Sequence, residues 1–240
     1  MGSTREAQQS SLKPNVQAPV STPQNMILNT RPGEFRIGNV PPLNTSPTGA
    51  LPMFTVGGSG SDSGENLFPV TDAANPTGNT MNFPLRETGY GMDQFGRGQA
   101  RGAIEQLLQR QVDSNTPTVA SGHSLGATEL YNSLNKMGQM DNPSIKKNFV
   151  DAPKLKWWMA PPRPLDMTFP TVQEIHNANR NGIAGNPDTV NWTSGNWMSN
   201  PAAHSPWNYP DHPGSQEKIG NLQGKIKSQV WNPMGIPGNK

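Results

Sequence analysis

The chain has 240 residues, a formal net charge of +2 and no cysteine. Its length allows one sizeable hydrophobic core, but only 32% of its residues are hydrophobic, and 25 glycines and 25 prolines assign much of the chain to loops. The weak charge and the lack of a basic cluster with interleaved aromatics argue against a nucleic-acid partner. The absence of cysteine excludes disulfides, thiolate metal sites and cysteine catalysis.

Residues 1–25 are rich in serine, glutamine and proline and show no apolar periodicity, which predicts a disordered, flexible leader. It is either a tail without a role or a segment for translocation or partner docking. No stretch is apolar enough to span a membrane, and the N-terminus lacks the charged and then apolar layout of a signal peptide. We therefore expect a protein that is secreted or translocated without a signal peptide, or otherwise a cytoplasmic one.

A strand followed by a glycine-rich loop is predicted next. The strand is LPMFTV at 51–56, and the loop is GGSGSDSGENL at 57–67. Such a loop exposes backbone N–H groups that can bind a phosphate or an oxyanion, and the alternative is a mobile surface loop. It lacks the lysine-containing end of a P-loop.

Residues 69–95 are predicted to be a loop-like insertion near the mouth of the site.

The central stretch TVASGHSLGA at 118–127 predicts a strand, a glycine-tight turn and a helix. Apolar residues recur at helical spacing on both sides of it, which predicts helices over 98–112 and 127–137. This is the context of a nucleophile elbow, which exposes a serine beyond the end of a strand and aims the first helical amides at it. We therefore predict that Ser124 is a nucleophile, and the alternative is an incidental turn serine.

Further strands are predicted over 155–160 and 171–176. Strands that alternate with helices favour an α/β fold with a mainly parallel central sheet. Residues 216–240 carry several lysines and are predicted to be an irregular, basic C-terminal tail with a peripheral helix.

These blocks resemble, in the same order, those of the fungal-type (class three) lipases in the α/β-hydrolase superfamily and of lipase-like domains in bacterial toxins and effectors. GSDSGENL at 60–67 is similar to the family's oxyanion block, and GHSLGA at 122–127 to its elbow. APPR at 160–163 is similar to the turn after the next strand, and NPDTV at 186–190 to the segment that holds the triad acid. The resemblance implies a compact α/β-hydrolase domain over 26–215. Ala127 replaces a second elbow glycine, and the distance in sequence from Asp188 to His204 is short for a lipase.

Acyl transfer by a serine needs a base that takes the serine proton. The chain has four histidines. His123 lies inside the elbow, where we expect its side chain to point away from the serine, and His176 precedes the acid that the resemblance implies. His204 and His212 remain. His204 is followed by Ser205 and shortly afterwards by Trp207, which resembles the block that often carries the base in bacterial lipase-like domains. The resemblance therefore implies His204 as the base, with His212 as the alternative base.

The base needs an acid that orients it, and the oxyanion needs donors. The resemblance makes Asp188 the acid, while Asp151 and Asp166 are expected to be solvated or structural. The amide of Leu125 and the residue Ser61 are the expected oxyanion donors. No cofactor and no metal is expected.

The reaction that the resemblance implies is hydrolysis of a lipid or other ester, as in a lipase, esterase or phospholipase, by a secreted effector or toxin. The alternative is a non-catalytic structural or binding protein, such as a virion or secretion-system component, that retains the hydrolase fold. Trp192, Trp197 and Trp207 surround the predicted base. They either lie at a lipid boundary and make transient contact with a membrane surface, or pack the end of the sheet.

Overall fold

A computed structural model of the chain describes residues 25–27, 43–59, 67–76, 78–85, 94–152, 188–190, 192 and 201–231. These residues form an α/β fold around a six-stranded sheet in which every pair of neighbouring strands is parallel. The strands are β1 (Asn25–Ile27), β2 (Met53–Ser59), β3 (Thr80–Leu85), β4 (Thr118–His123), β5 (Ile145–Val150) and β6 (Thr189–Val190). The helices are α1 (Leu67–Ala74), α2 (Gln94–Asp113), α3 (Leu125–Lys136), α4 (Pro201–His204) and α5 (Ser215–Trp231), with a short 3-10 helix at Pro206–Asn208.

In the strand order, β1-β3-β2-β4-β5-β6, the connections diverge at the middle of the sheet, between β2 and β4. The chain leaves β2 through α1 toward β3 on one side, and it leaves β4 through α3 toward β5 on the other side. In open α/β sheets, ligands bind outside the carboxyl ends of two neighbouring strands whose connections diverge in this way. The glycine-containing end of β2 and Ser124, which follows β4, both lie at this position.

Two hydrophobic clusters cover the two faces of the sheet, because successive strand side chains alternate between faces. Phe54, Ala120 and Phe149 belong to the cluster that includes apolar residues of α2 and α3. Met53, Val119 and Val150 belong to the cluster that includes apolar residues of α1 and α5. The described residues therefore form three layers, with helices on both sides of a parallel sheet.

The prediction of an α/β fold with a mainly parallel sheet is confirmed. The predicted strands at 51–56 and after 118 correspond to β2 and β4, and the predicted helices on either side of the elbow correspond to α2 and α3. None of the helices within the described ranges is long and apolar enough to cross a membrane.

The prediction of a loop-like insertion over 69–95 is wrong, because α1 and β3 occupy much of that range. β3 reads TMNFPL, and its proline and asparagine weaken the strand pattern. The strand after the elbow helix is β5, with the sequence IKKNFV. Its two lysines interrupt the apolar pattern, so the sequence did not predict this strand. The strands predicted over 155–160 and 171–176, like residues 1–24 of the predicted leader, lie outside the described residues.

The helix predicted within the C-terminal tail is present at Ser215–Trp231, but it packs against the core, so this part of the tail is not irregular. Leu222, Ile226 and Val230 recur every four residues on α5 and are buried in the cluster against β2 and β4. An apolar stripe at this spacing faces a core. Lysines and glutamines occupy many of the positions between these apolar residues, so the periodicity was not recognised in the sequence.

Candidate active site

Ser124 occupies the turn between β4 and α3 in a backbone conformation that serine rarely adopts. Its φ is 52° and its ψ is −123°, and non-glycine residues held in such regions occur preferentially at functional sites. Ser124 is the N-cap residue of α3, yet its side chain makes no capping hydrogen bond. A serine at this position usually caps the helix. The conformation therefore matches a nucleophile elbow better than an ordinary capping serine.

Two glycines allow the backbones around this turn to approach closely. A Cβ atom at Gly126 would overlap the carbonyl oxygen of Gly57, at the end of β2. A Cβ atom at Gly122 would lie 2.6 Å from the Cα atom of Ala127. The start of α3 is thus packed directly against both β2 and β4, which fixes the position of Ser124 between them.

Gly58 leaves room beside Ser124 on the β2 side. A Cβ atom at Gly58 would lie 3.2 Å from the Cβ atom of Ser124 and 3.0 Å from Nδ1 of His123. Leu125 begins α3, so its N–H group lies in the first turn, where amides have no acceptor inside the helix. The serine is therefore flanked by the first amides of a helix on one side and by the glycine-containing end of a strand on the other.

His204 contacts a buried carboxylate, that of Asp151. The Nδ1 atom of His204 lies 3.2 Å from Oδ2 of Asp151, and their side chains are 7% and 0% exposed. The other carboxylate oxygen of Asp151 accepts a hydrogen bond of 2.7 Å from the backbone N–H of Trp192. An ionised carboxylate can only accept hydrogen bonds, so the proton of this contact lies on Nδ1 of His204. The neutral ring then presents Nε2 as a proton acceptor.

The sequence reasoning missed Asp151 as the partner of His204. Asp151 directly follows β5, the strand next to β4, so its carboxylate lies at the same edge of the sheet as Ser124. Its φ of 47° is in the left-handed region, which aspartate tolerates better than most residues. One feature of the sequence could have identified Asp151: it immediately follows NFV at 148–150, the end of a buried strand.

Asp188, the predicted acid, lies elsewhere. It precedes β6 instead of following it, its carbonyl accepts a hydrogen bond from the amide of Phe149, and its carboxylate lies 4.0 Å from Nζ of Lys147. Burial lowers the pKa of Lys147 and of Lys225, and the negative charge of Asp188 opposes both shifts. In the described structure the carboxylate of Asp188 lies near lysines, whereas the carboxylate that contacts His204 belongs to Asp151.

The alternative base, His212, lies in an exposed turn, where its Nδ1 atom contacts the carbonyl oxygen of Pro213 at 3.1 Å. His204, in contrast, is only 6% exposed. Ser61, His176, Asp166 and Trp197 lie outside the described residues. The predicted second oxyanion donor therefore has no described position.

The ring of His123 packs against both His204 and Trp207. The ring of His123 lies 4.6 Å from the ring of His204 and 4.7 Å from that of Trp207, both measured between centroids. The ring of His123 therefore lies beside that of the predicted base. Trp207 is 5% exposed and belongs to the cluster that packs against α5, so this indole packs the end of the sheet.

Among the described side chains, no group of three or more histidine and acidic residues is arranged to hold a metal ion. The chemistry that this site offers is that of a serine on a strained turn, a histidine held at Nδ1 by a buried carboxylate, and helical amides nearby. Comparisons of the chain with protein-family models, with curated proteins and with solved structures each found no match.

Proposed function

We propose that this protein is a serine hydrolase of carboxylic esters with Ser124 as nucleophile, His204 as base and Asp151 as the acid that orients it. The observation that carries the proposal is the buried contact between Asp151 and Nδ1 of His204, at the sheet edge where Ser124 occupies its strained turn. Ser124, Asp151 and His204 also follow the Ser, Asp, His order of α/β-hydrolases in the chain. We propose a compact, lipase-like α/β-hydrolase as the finer description of the fold.

In the proposed reaction the Oγ atom of Ser124 attacks the ester carbonyl carbon while Nε2 of His204 takes the serine proton. The oxyanion that forms is stabilised by the amide of Leu125 and by the positive end of the α3 dipole. His204 then gives the proton to the departing alcohol, which leaves an acyl-enzyme on Ser124. Water, deprotonated by His204, releases the acid. Asp151 stabilises the imidazolium in both halves of the reaction.

Lipid or phospholipid esters are the proposed substrates, on the strength of the resemblance in the elbow and oxyanion blocks. Contact with a membrane surface has weaker support, because Trp207 is buried and Trp192 is partly buried against the same cluster. Their rings lie 5.9 Å apart in an edge-to-face arrangement, as expected for packing aromatics. Neither indole carries the proposal of an ester substrate.

A fluorophosphonate probe tests the proposal, because it reacts with an activated serine and not with an ordinary one. We expect the wild-type protein to be labelled at Ser124, and the folded Ser124→Ala and His204→Ala variants to stay unlabelled. Labelling should be accompanied by hydrolysis of a short-chain ester. A folded wild-type protein that neither reacts with the probe nor hydrolyses the ester would favour the alternative, a structural or binding protein that retains the fold.

A further inference from the structure

His123 makes contacts that its place in the elbow motif does not require. Its Nε2 atom lies 3.0 Å from the backbone carbonyl oxygen of His204, a residue 81 positions later in the chain. A carbonyl oxygen can only accept, so Nε2 of His123 carries the proton and donates it. His123 is 3% exposed, and its ring packs against those of both His204 and Trp207.

The carbonyl that His123 binds belongs to the last residue of a very short helix. α4 has four residues and ends at His204, and the last carbonyls of a helix have no donor within it. A four-residue helix cannot hold its own position by its internal hydrogen bonds, because helix formation is cooperative and its first turn is unfavourable. The main chain that carries His204 therefore needs contacts from the rest of the fold.

Two neighbouring strands supply those contacts. β4 ends at His123, which binds the main chain of His204, and β5 is followed by Asp151, which binds its ring. Ser124 directly follows His123 and shares its rigid turn. One residue thus links the position of the serine to the position of the histidine backbone.

We infer that His123 is a positioning residue, which sets the place of the His204 imidazole relative to Ser124 through the hydrogen bond from its Nε2 atom to the His204 carbonyl. This inference rests on the proposed function of Ser124 and His204. An error of about 1 Å in such a placement can cost about a hundredfold in rate. Simple core packing by the ring, in contrast, would not depend on the donated proton.

Two substitutions separate the donor from the ring. His123→Gln keeps an N–H donor close to the place of Nε2 but removes the ring, whereas His123→Phe keeps an aromatic ring but removes the donor. Ser121→Ala is the matched control, since Ser121 is also buried and on the same face of β4 but contacts Asn148 instead. Each variant is compared with the wild-type protein in ester kinetics, probe labelling and thermal unfolding, with rates normalised to folded protein.

We expect His123→Phe to lower kcat about 10- to 100-fold with little change in KM. His123→Gln should recover most of this loss, and Ser121→Ala should keep wild-type kcat. A folded His123→Phe variant with wild-type kcat overturns the inference. Equal losses in His123→Phe and His123→Gln also overturn it, because the ring and not the hydrogen bond would then matter.

Proton NMR tests the position of the His204 imidazole without requiring catalytic activity. The proton between Nδ1 of His204 and Asp151 should give a far-downfield signal in the wild-type protein and in His123→Gln, and His123→Phe should lose or broaden it. Persistence of the signal in His123→Phe contradicts the inference. A wild-type protein without hydrolysis or probe labelling, together with an NMR signal that is still present in His123→Gln and lost in His123→Phe, is a separate outcome. That outcome would refute the proposed hydrolase but support positioning by His123, so failure of one proposal can be told from failure of the other.

Discussion

The Nδ1 atom of His204 lies 3.2 Å from Oδ2 of Asp151, although 53 positions separate the two residues in the chain. The parallel sheet places Asp151 next to Ser124 as well. β4 and β5 are neighbours in direct register, so the residues that follow them emerge side by side at one edge. Asp151 follows β5 at that edge, and Ser124 follows β4.

We predict that Asp151→Asn greatly lowers turnover and that Asp188→Asn leaves it close to wild type. An amide in place of the Asp151 carboxylate favours the wrong tautomer of the histidine, an effect worth about ten-thousandfold in trypsin-like enzymes. Asp188 faces Lys147 instead of His204. Measuring kcat/KM on a short-chain ester checks the pair, and a severe loss in Asp188→Asn with little change in Asp151→Asn would restore the assignment made from the sequence.

The base is tested by comparing His204→Ala with His212→Ala. Because members of a catalytic triad act as a unit, His204→Ala should be about as damaging as Ser124→Ala, by several orders of magnitude in kcat. The His212 side chain is exposed, and its Nδ1 atom contacts the carbonyl oxygen of the adjacent Pro213, so His212→Ala should keep most of the activity. If His212→Ala is the inactive variant, His204 is not the base.

The parallel α/β fold and the elbow could be predicted because their patterns are local. A short strand, a glycine-flanked serine and an amphipathic helix lie within 118–137, so spacing alone identifies them. β3 and β5 could not be identified in this way. Their buried positions include asparagine and lysine residues, which are stabilised by contacts from distant residues; Asn148, for instance, donates to Ser121 and Gln229.

The sequence did not identify Asp151 as the carboxylate that contacts His204, because this depends on which end of a strand an aspartate adjoins. Asp188 and Asp151 each lie within two positions of a valine in the sequence, but Asp188 directly precedes β6 whereas Asp151 directly follows β5. In a parallel sheet only the residue at the carboxyl end reaches the edge that carries Ser124. The bounds of β5 and β6 were needed for this choice, and the sequence pattern predicted neither strand.

Gly126→Ala should strongly destabilise the fold. The new methyl group would overlap the backbone carbonyl of Gly57, which cannot turn aside as a flexible side chain can. We expect a loss of about 3 kcal/mol in the free energy of unfolding. Gly220→Ala is the matched control: this exposed glycine of α5 has open space around it, and alanine there should stabilise by up to about 1 kcal/mol. Urea unfolding checks both, and equal effects would show that no close approach exists at Gly126.

Two ion pairs between α2 and α3 should contribute very differently to stability. The Arg101 guanidinium contacts the Glu129 carboxylate at 2.6 Å, and the Glu129 side chain is 0% exposed. Arg101→Ala leaves that carboxylate buried without this ion pair, which should cost about 3–5 kcal/mol. Lys136 pairs with Glu105 at 2.8 Å but is 66% exposed, so Lys136→Ala should cost less than about 1 kcal/mol. Similar unfolding midpoints for the two variants would contradict this difference.

Asp72→Asn should stabilise the protein at neutral pH, and the gain should fade on acidification. Burial raises the pKa of Asp72, although the side chain of Asn82 donates to both of its carboxylate oxygens and partly opposes the shift. With a raised pKa the folded state keeps the proton at pH values where the unfolded chain has released it, so wild-type stability falls as pH rises through this window. An asparagine carries no charge to bury and retains an oxygen that Asn82 can reach.

Urea unfolding of the wild-type and variant proteins checks this from neutral pH down to about 3.9, the ordinary pKa of aspartate. The difference between their free energies of unfolding should shrink toward the acid end. A difference that stays constant over this range would mean that the charge of Asp72 does not limit stability.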